Sequence, residues 1–169
     1  MSKKLDSFFL FDNTINLMKS VLDDTKRTGL EHAFDLCINE RERILKAENF
    51  CIGERCEVRP FQECKKGEVL VGGFHTHPSP FSPRPSLDDL STGLQFGIEC
   101  IATVKENSIK CYVKKENIPF REESVVMTKI NDFVKKRDEK SLTKEDFRKY
   151  MKLEDSIKNK CFHTISIND

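Results

Sequence analysis

A chain of 169 residues suits one domain and can bury a hydrophobic core without staples. With 34% charged and 37% hydrophobic residues it is not a disordered chain, and no apolar run nears the ~18 residues of a membrane span. Lys plus Arg (29) almost cancels Asp plus Glu (28), a balance that speaks against a surface built to follow nucleic-acid phosphates.

The run 8–11 reads as a short strand and ends at once in Asp12-Asn13, too soon for a secretory segment, so a soluble, cytoplasmic protein is expected. Asp12, Asn13 and Thr14 offer helix caps, and Ile15, Met18, Val21, Leu22 and Thr25 share one helical face before Gly29. Residues 31–38 alternate: His32, Phe34, Leu36 and Ile38 lie on one side, Glu31, Ala33, Asp35 and Cys37 on the other. Strand-like runs follow at 43–47 and 57–59, then a strong buried strand at 68–75. A loop with prolines at 78, 80, 83 and 85 leads to a helix opened by Ser86 and running to about 95. Two strands at 99–104 and 109–113 are joined by a turn at Glu106-Asn107, and the remaining third reads as two helices, the second capped by Thr143. The order predicts an α/β or α+β domain around one sheet, divided as 1–120 and a helical extension, 121–169, packed on the same domain.

Seven cysteines, at 37, 51, 56, 64, 100, 111 and 161, leave at least one unpaired within a monomer. No CxxC occurs, so Cys37, Cys51, Cys56 and Cys64 lack the paired knuckles of a structural zinc site. Most of these thiols are expected to be small buried hydrophobes, with one or two disulfides open to a thermophilic cytosol.

The chemistry concentrates in Gly72-Gly73-Phe74-His75-Thr76-His77-Pro78 and Ser86-Leu87-Asp88-Asp89. Residues i and i+2 of a strand point the same way, so His75 and His77 aim both imidazoles at one place, at a strand end that Pro78 terminates. Two imidazoles and a carboxylate leave the fourth position of a tetrahedral zinc ion for water, the arrangement of a catalytic site. Each part also has an ordinary explanation. HxH is common at strand ends, and Ser86-xx-Asp89 is what a helix N-terminus requires. The conjunction in one window is the informative signal.

That conjunction resembles the JAMM, or MPN+, metalloprotease family, whose signature is an upstream Glu, H-[ST]-H-P and S-x-x-D; the wording Pro85-Ser86-xx-Asp89-Leu90 is similar to prokaryotic members, including the RadC-type branch. The resemblance implies a single MPN/JAB-like domain with a mostly antiparallel, cytidine-deaminase-like sheet flanked by helices. It implies Zn2+ on His75, His77 and Asp89, with Ser86 as oxyanion donor and a glutamate as general base. Ser86 stands nine positions after His77, one more than the family usually has, and keeping the family spacing would make Asp88 the ligand instead. Among Glu31, Glu40, Glu42 and Glu48, Glu31 matches the family's setting at the start of the strand after the first helix. The implied activity is hydrolysis of peptide or isopeptide bonds, as in release of ubiquitin or a ubiquitin-like modifier from lysine. Rival readings are a non-catalytic MPN scaffold and a RadC-like protein of DNA-related role. The expected partner is a ubiquitin-like conjugate, not a membrane or nucleic acid, and self-association is left open.

Overall fold

The computed structural model describes residues 4–5, 8–9, 12–39, 41–42, 44–57 and 63–167. Its elements are β1 (Lys4–Leu5), β2 (Phe8–Phe9), α1 (Asp12–Thr28), β3 (His32–Asn39), β4 (Ile44–Ile52), α2 (Glu54–Glu57), β5 (Glu68–His77), α3 (Leu87–Phe96), β6 (Ile98–Thr103), β7 (Ser108–Lys114), α4 (Phe120–Asp138), α5 (Lys144–Cys161) and β8 (Phe162–Ile167). They form one sheet in the order β1-β2-β4-β3-β5-β6-β7-β8. The pairs β2–β4 and β5–β6 are parallel and the others antiparallel, which is the mostly antiparallel α+β architecture expected.

Each face of the sheet carries its own core. On one, Met18, Val21 and Leu22 of α1 pack on Phe34, Leu36, Phe74, Cys100 and Ala102. On the other, Leu87, Leu90 and Leu94 of α3 meet Ile101, Tyr112, Phe162, Ile130 of α4 and Ile157 of α5. Alternation along β6 explains the split, because Cys100 and Ala102 face α1 while Ile101 faces α3. Since α3, α4 and α5 gather over the half of the sheet around β6 and β7, the half around β3 and β4 meets α3 only along an edge, and a cavity remains there.

Three local readings change. The run at 57–59 is not a strand where it is described: Glu57 ends the short helix α2, and Val58 and Arg59 lie outside the described residues. The stretch after α5 is not helical but forms β8, paired antiparallel with β7 from Ile109↔Ile167 to Lys114↔Phe162. Six of the seven cysteines are paired, as Cys37–Cys64, Cys51–Cys56 and Cys100–Cys111, leaving buried Cys161 free. Register decides one of these pairs, because Cys100 and Cys111 are direct cross-strand partners of β6 and β7.

The approach of β5 to β6 is unusually close at Gly72, where an added Cβ would lie 1.7 Å from the Ile98 carbonyl oxygen. Gly72→Ala is expected to destabilise the fold by at least about 3 kcal/mol, the upper end of overpacking costs. Denaturant unfolding measures it, and a loss under about 1 kcal/mol would mean that the strands part to admit the methyl.

Candidate metal centre

β5 delivers His75 and His77 to one face of the sheet at its last three residues, with Thr76 buried on the other. Ser86 is the N-cap of α3, and the helix brings Asp89 over the two rings. One ligand atom from each of His75, His77 and Asp89 lies within 4.8 Å of the others. His75 Nε2 is 3.0 Å from His77 Nε2 and 3.2 Å from Asp89 Oδ1, and His77 Nε2 is 3.8 Å from Asp89 Oδ2. Asp88, the neighbouring candidate, points away and pairs with Arg137 of α4 at 2.5 Å.

The ordinary reading of Ser86-xx-Asp89 holds in the structure. The Ser86 hydroxyl accepts from the Asp89 amide at 3.1 Å, and Asp89 Oδ2 accepts from the Ser86 amide at 2.8 Å. The capping box occupies one carboxylate oxygen, while Oδ1 is directed at His75.

The outer nitrogens of both rings test whether a cation fits. His77 Nδ1 lies 2.8 Å from the Ser82 carbonyl oxygen, an acceptor only, so Nδ1 carries the proton and Nε2 turns its lone pair inward. His75 Nδ1 lies 2.9 Å from Glu99 Oε1, which sets the same tautomer. Two lone pairs 3.0 Å apart need a positive charge between them. Without a metal a proton on His75 Nε2 supplies it, and a cation held by two imidazoles and a carboxylate supplies it better.

A cavity of about 280 Å³ opens beside this group, lined by His75, Asp89, Glu99, Gly73, Glu31, Ala33 and Asp35 among others. Ala33 is paired with His75, so the start of β3 runs beside the ligand-bearing end of β5 and brings half-buried Glu31 to the same cavity. Of the other glutamates considered, Glu42 follows the opposite end of β3, Glu48 lies 3.5 Å from Lys65, and Glu40 is outside the described residues. His32 is buried and bonded to Thr25 and Leu30, and His163 stands exposed on β8; neither joins the cluster.

No protein-family model and no curated protein matches the chain. Among solved structures it is similar to a JAB1/MPN domain protein from Archaeoglobus fulgidus, with 30% identity over 57% of this chain and 83% of that one and a TM-score of 0.38. Identity and coverage, rather than the superposition, decide the assignment. The chain belongs to the JAB1/MPN domain proteins.

Sequence reasoning missed two residues of this MPN domain that orient the two imidazoles. Ser82 acts through its carbonyl, which no side-chain pattern reveals. Glu99 was legible in principle, as an acid inside the apolar run Ile98-Glu99-Cys100-Ile101, since a buried carboxylate needs a partner. A Cβ at Gly73 would lie 3.3 Å from the Glu99 carboxylate, so that glycine makes the room.

The charges follow from this packing. Burial opposes a proton on His75, but Asp89 and then Glu99 outweigh it and hold its pKa well above 6.5. His77 is lowered, first by burial and then by the charge of His75. Burial also disfavours ionised Asp89, yet His75 and the Ser86 amide bring its pKa down from 3.8 to about 2.

Metal analysis of the purified variants separates the adjacent aspartates. Asp89→Ala is expected to lose bound metal and Asp88→Ala to keep it, and equal retention in both would overturn the ligand set. A second prediction concerns the metal-free protein. Asp89 stabilises the fold above pH 3.8 and ceases to as the pH falls toward about 2, whereas His75 stabilises below 6.5 and ceases to as the pH climbs through its raised folded value. Thermal midpoints of chelator-treated protein should therefore decline on both sides of this window, and His75→Ala should lessen the decline on the alkaline side. A wild-type midpoint that stays flat from neutral to alkaline pH would contradict the coupling.

Proposed function

We propose that this MPN domain is a zinc-dependent hydrolase of the JAMM type that cleaves peptide or isopeptide bonds, releasing ubiquitin or a ubiquitin-like modifier from lysine. The observation that carries the reading is the convergence of His75, His77 and Asp89 beside a cavity whose wall holds His75, Asp89 and Glu31. Two nitrogens and one oxygen suit zinc and leave a position open for water and substrate.

Zinc, when bound, supplies the Lewis acidity that polarises the scissile carbonyl and makes water a nucleophile near neutral pH. The chain's own residues do the rest. Glu31 takes the proton of the attacking water and passes it to the leaving amine, becoming a carboxylate again. The Ser86 hydroxyl accepts from the Asp89 amide, which leaves its own hydrogen to donate to the carbonyl oxygen as that atom gains charge. Glu99 and Ser82 keep both imidazole lone pairs turned inward.

No described helix is long and apolar enough to cross a membrane. The compartment we propose is the cytoplasm, with a redox poise that tolerates three disulfides. The proposed partner is a ubiquitin-like protein conjugate.

The test is hydrolysis of such a conjugate, or of a peptide carrying a lysine isopeptide bond, with and without chelator. Glu31→Gln should lower kcat by a factor on the order of 10²–10⁴ with zinc retained, the usual worth of an acid–base group. Ser86→Ala should lower it on the order of 10² and also cost about 1 kcal/mol of stability, because the same hydroxyl caps α3. Cleavage indifferent to Glu31→Gln would refute that base. A zinc-loaded protein inert toward every conjugate would favour the scaffold.

A further inference from the structure

The helices α4 and α5 hold the chain between His77 and Asp89 at two places. In the loop between His77 and α3, Arg84 Nη2 donates to Asp155 Oδ1 of α5 at 2.9 Å and reaches Glu154 Oε2 at 3.5 Å. The same nitrogen donates to the Met151 carbonyl at 3.4 Å. Two residues back along the loop, the Ser82 hydroxyl accepts from the Arg84 amide at 3.2 Å, and the Ser82 carbonyl accepts from His77 Nδ1 at 2.8 Å. A chain of contacts therefore runs from α5 through Arg84 and Ser82 to the far nitrogen of a ligand imidazole.

A second line of contacts ends at Asp89. The Leu87 amide, at the first turn of α3, donates to the Tyr150 hydroxyl of α5 at 3.1 Å. Asp88 pairs with Arg137 of α4. Tyr150 is itself fixed against Phe133 of α4, ring centroids 4.0 Å apart. The turn of helix that presents Asp89 is thus tied to both helices through the two residues before it. A surface helix pair serving stability alone has no need to direct polar contacts at the ligand loop and at the helix end beside it.

We propose that α4 and α5 brace the metal centre, with Arg84 and Tyr150 as positioning residues: Arg84 holds the loop that orients His77, and Tyr150 holds the end of α3 that carries Asp89. The proposal rests on the zinc reading above and adds that zinc affinity is set partly from these helices. Groups that orient a metal ligand are typically worth 10–100-fold in affinity, and a contact one link further out is worth the lower end of that range.

The experiment is zinc affinity by chelator competition on the full chain, with the visible spectrum of the Co2+-loaded protein as a reading of coordination geometry. Arg84→Gln should weaken zinc about tenfold and alter the Co2+ spectrum. Arg84→Glu should weaken it further, and combining that change with Asp155→Lys should recover most of the loss. Lys136→Gln breaks the 3.3 Å pair with Asp146, which joins the same two helices away from α3, and should leave zinc affinity unchanged. If Arg84→Gln fails to fold, Tyr150→Phe removes only a hydroxyl and should weaken zinc severalfold. Binding by Arg84→Gln, or by Tyr150→Phe in its stead, within twofold of wild type would overturn the brace, as would equal losses in Arg84→Gln and Lys136→Gln. A wild-type protein that takes up no zinc would overturn the underlying reading instead, so the two failures are distinct.

Discussion

Strand β5 passes so near β6 at Gly72 that a methyl group there would meet the Ile98 carbonyl oxygen. The parallel register continues from that contact, Gly73 beside Glu99 and His75 beside Ile101, so the Glu99 carboxylate lies over the space Gly73 leaves and reaches His75 Nδ1. Larger residues at 72 or 73 would push β6 and its carboxylate away from the imidazole. The glycine pair is therefore part of the candidate metal centre although it offers no ligand atom. A buried acid in β6 is tolerable because the ring it orients carries positive charge, or shares the charge of a bound cation.

The opposite face fixes the other coordinate. Thr76, between the two histidines, is buried; its hydroxyl is bonded to the Thr25 hydroxyl of α1 at 2.6 Å and accepts from the His32 amide at 2.9 Å. Since alternate residues of a strand face opposite ways, locking Thr76 toward α1 locks His75 and His77 toward α3. The bond to the His32 amide also ties the start of β3 to the end of β5, beside Glu31. One hydroxyl thus relates the proposed base to the ligand pair, through backbone and not through a contact between functional groups.

The parts of this arrangement that were legible from sequence obey local rules. The periodicities of α1 and β3, the cap at Thr143 and the strand with its HxH end follow from neighbours within a few positions. That Asp89 and not Asp88 turns toward the histidines is the geometry of the helix start, because a residue three places after Ser86 turns back over the cap and one two places after turns outward. What was missed depends on distant partners. β8 is short, its pattern of Phe162, Ile165 and Ile167 is a weak alternation, and it becomes a strand because β7 offers an open edge. The Cys100–Cys111 disulfide depends on the register that sets the two residues opposite one another. Arg84 in a proline-rich loop reads as a solvated charge until α5 folds back across it.

Asp89 shows how the ordinary and the functional readings coexist in one side chain. A helix N-cap needs only one acceptor oxygen from the third residue, and a metal ion needs only one from a carboxylate. Asp89 divides itself accordingly, Oδ2 to the Ser86 amide and Oδ1 toward His75. The cap holds the carboxylate at fixed χ angles, so orienting the ligand costs no further side-chain entropy when a cation arrives. In return, the amide of Asp89 occupies the acceptor side of the Ser86 hydroxyl and leaves its hydrogen unspent. Replacing either residue by its near isostere, Asp89→Asn or Ser86→Ala, therefore changes the helix end and the candidate ligand or donor together, whereas Glu31→Gln leaves the capping box untouched.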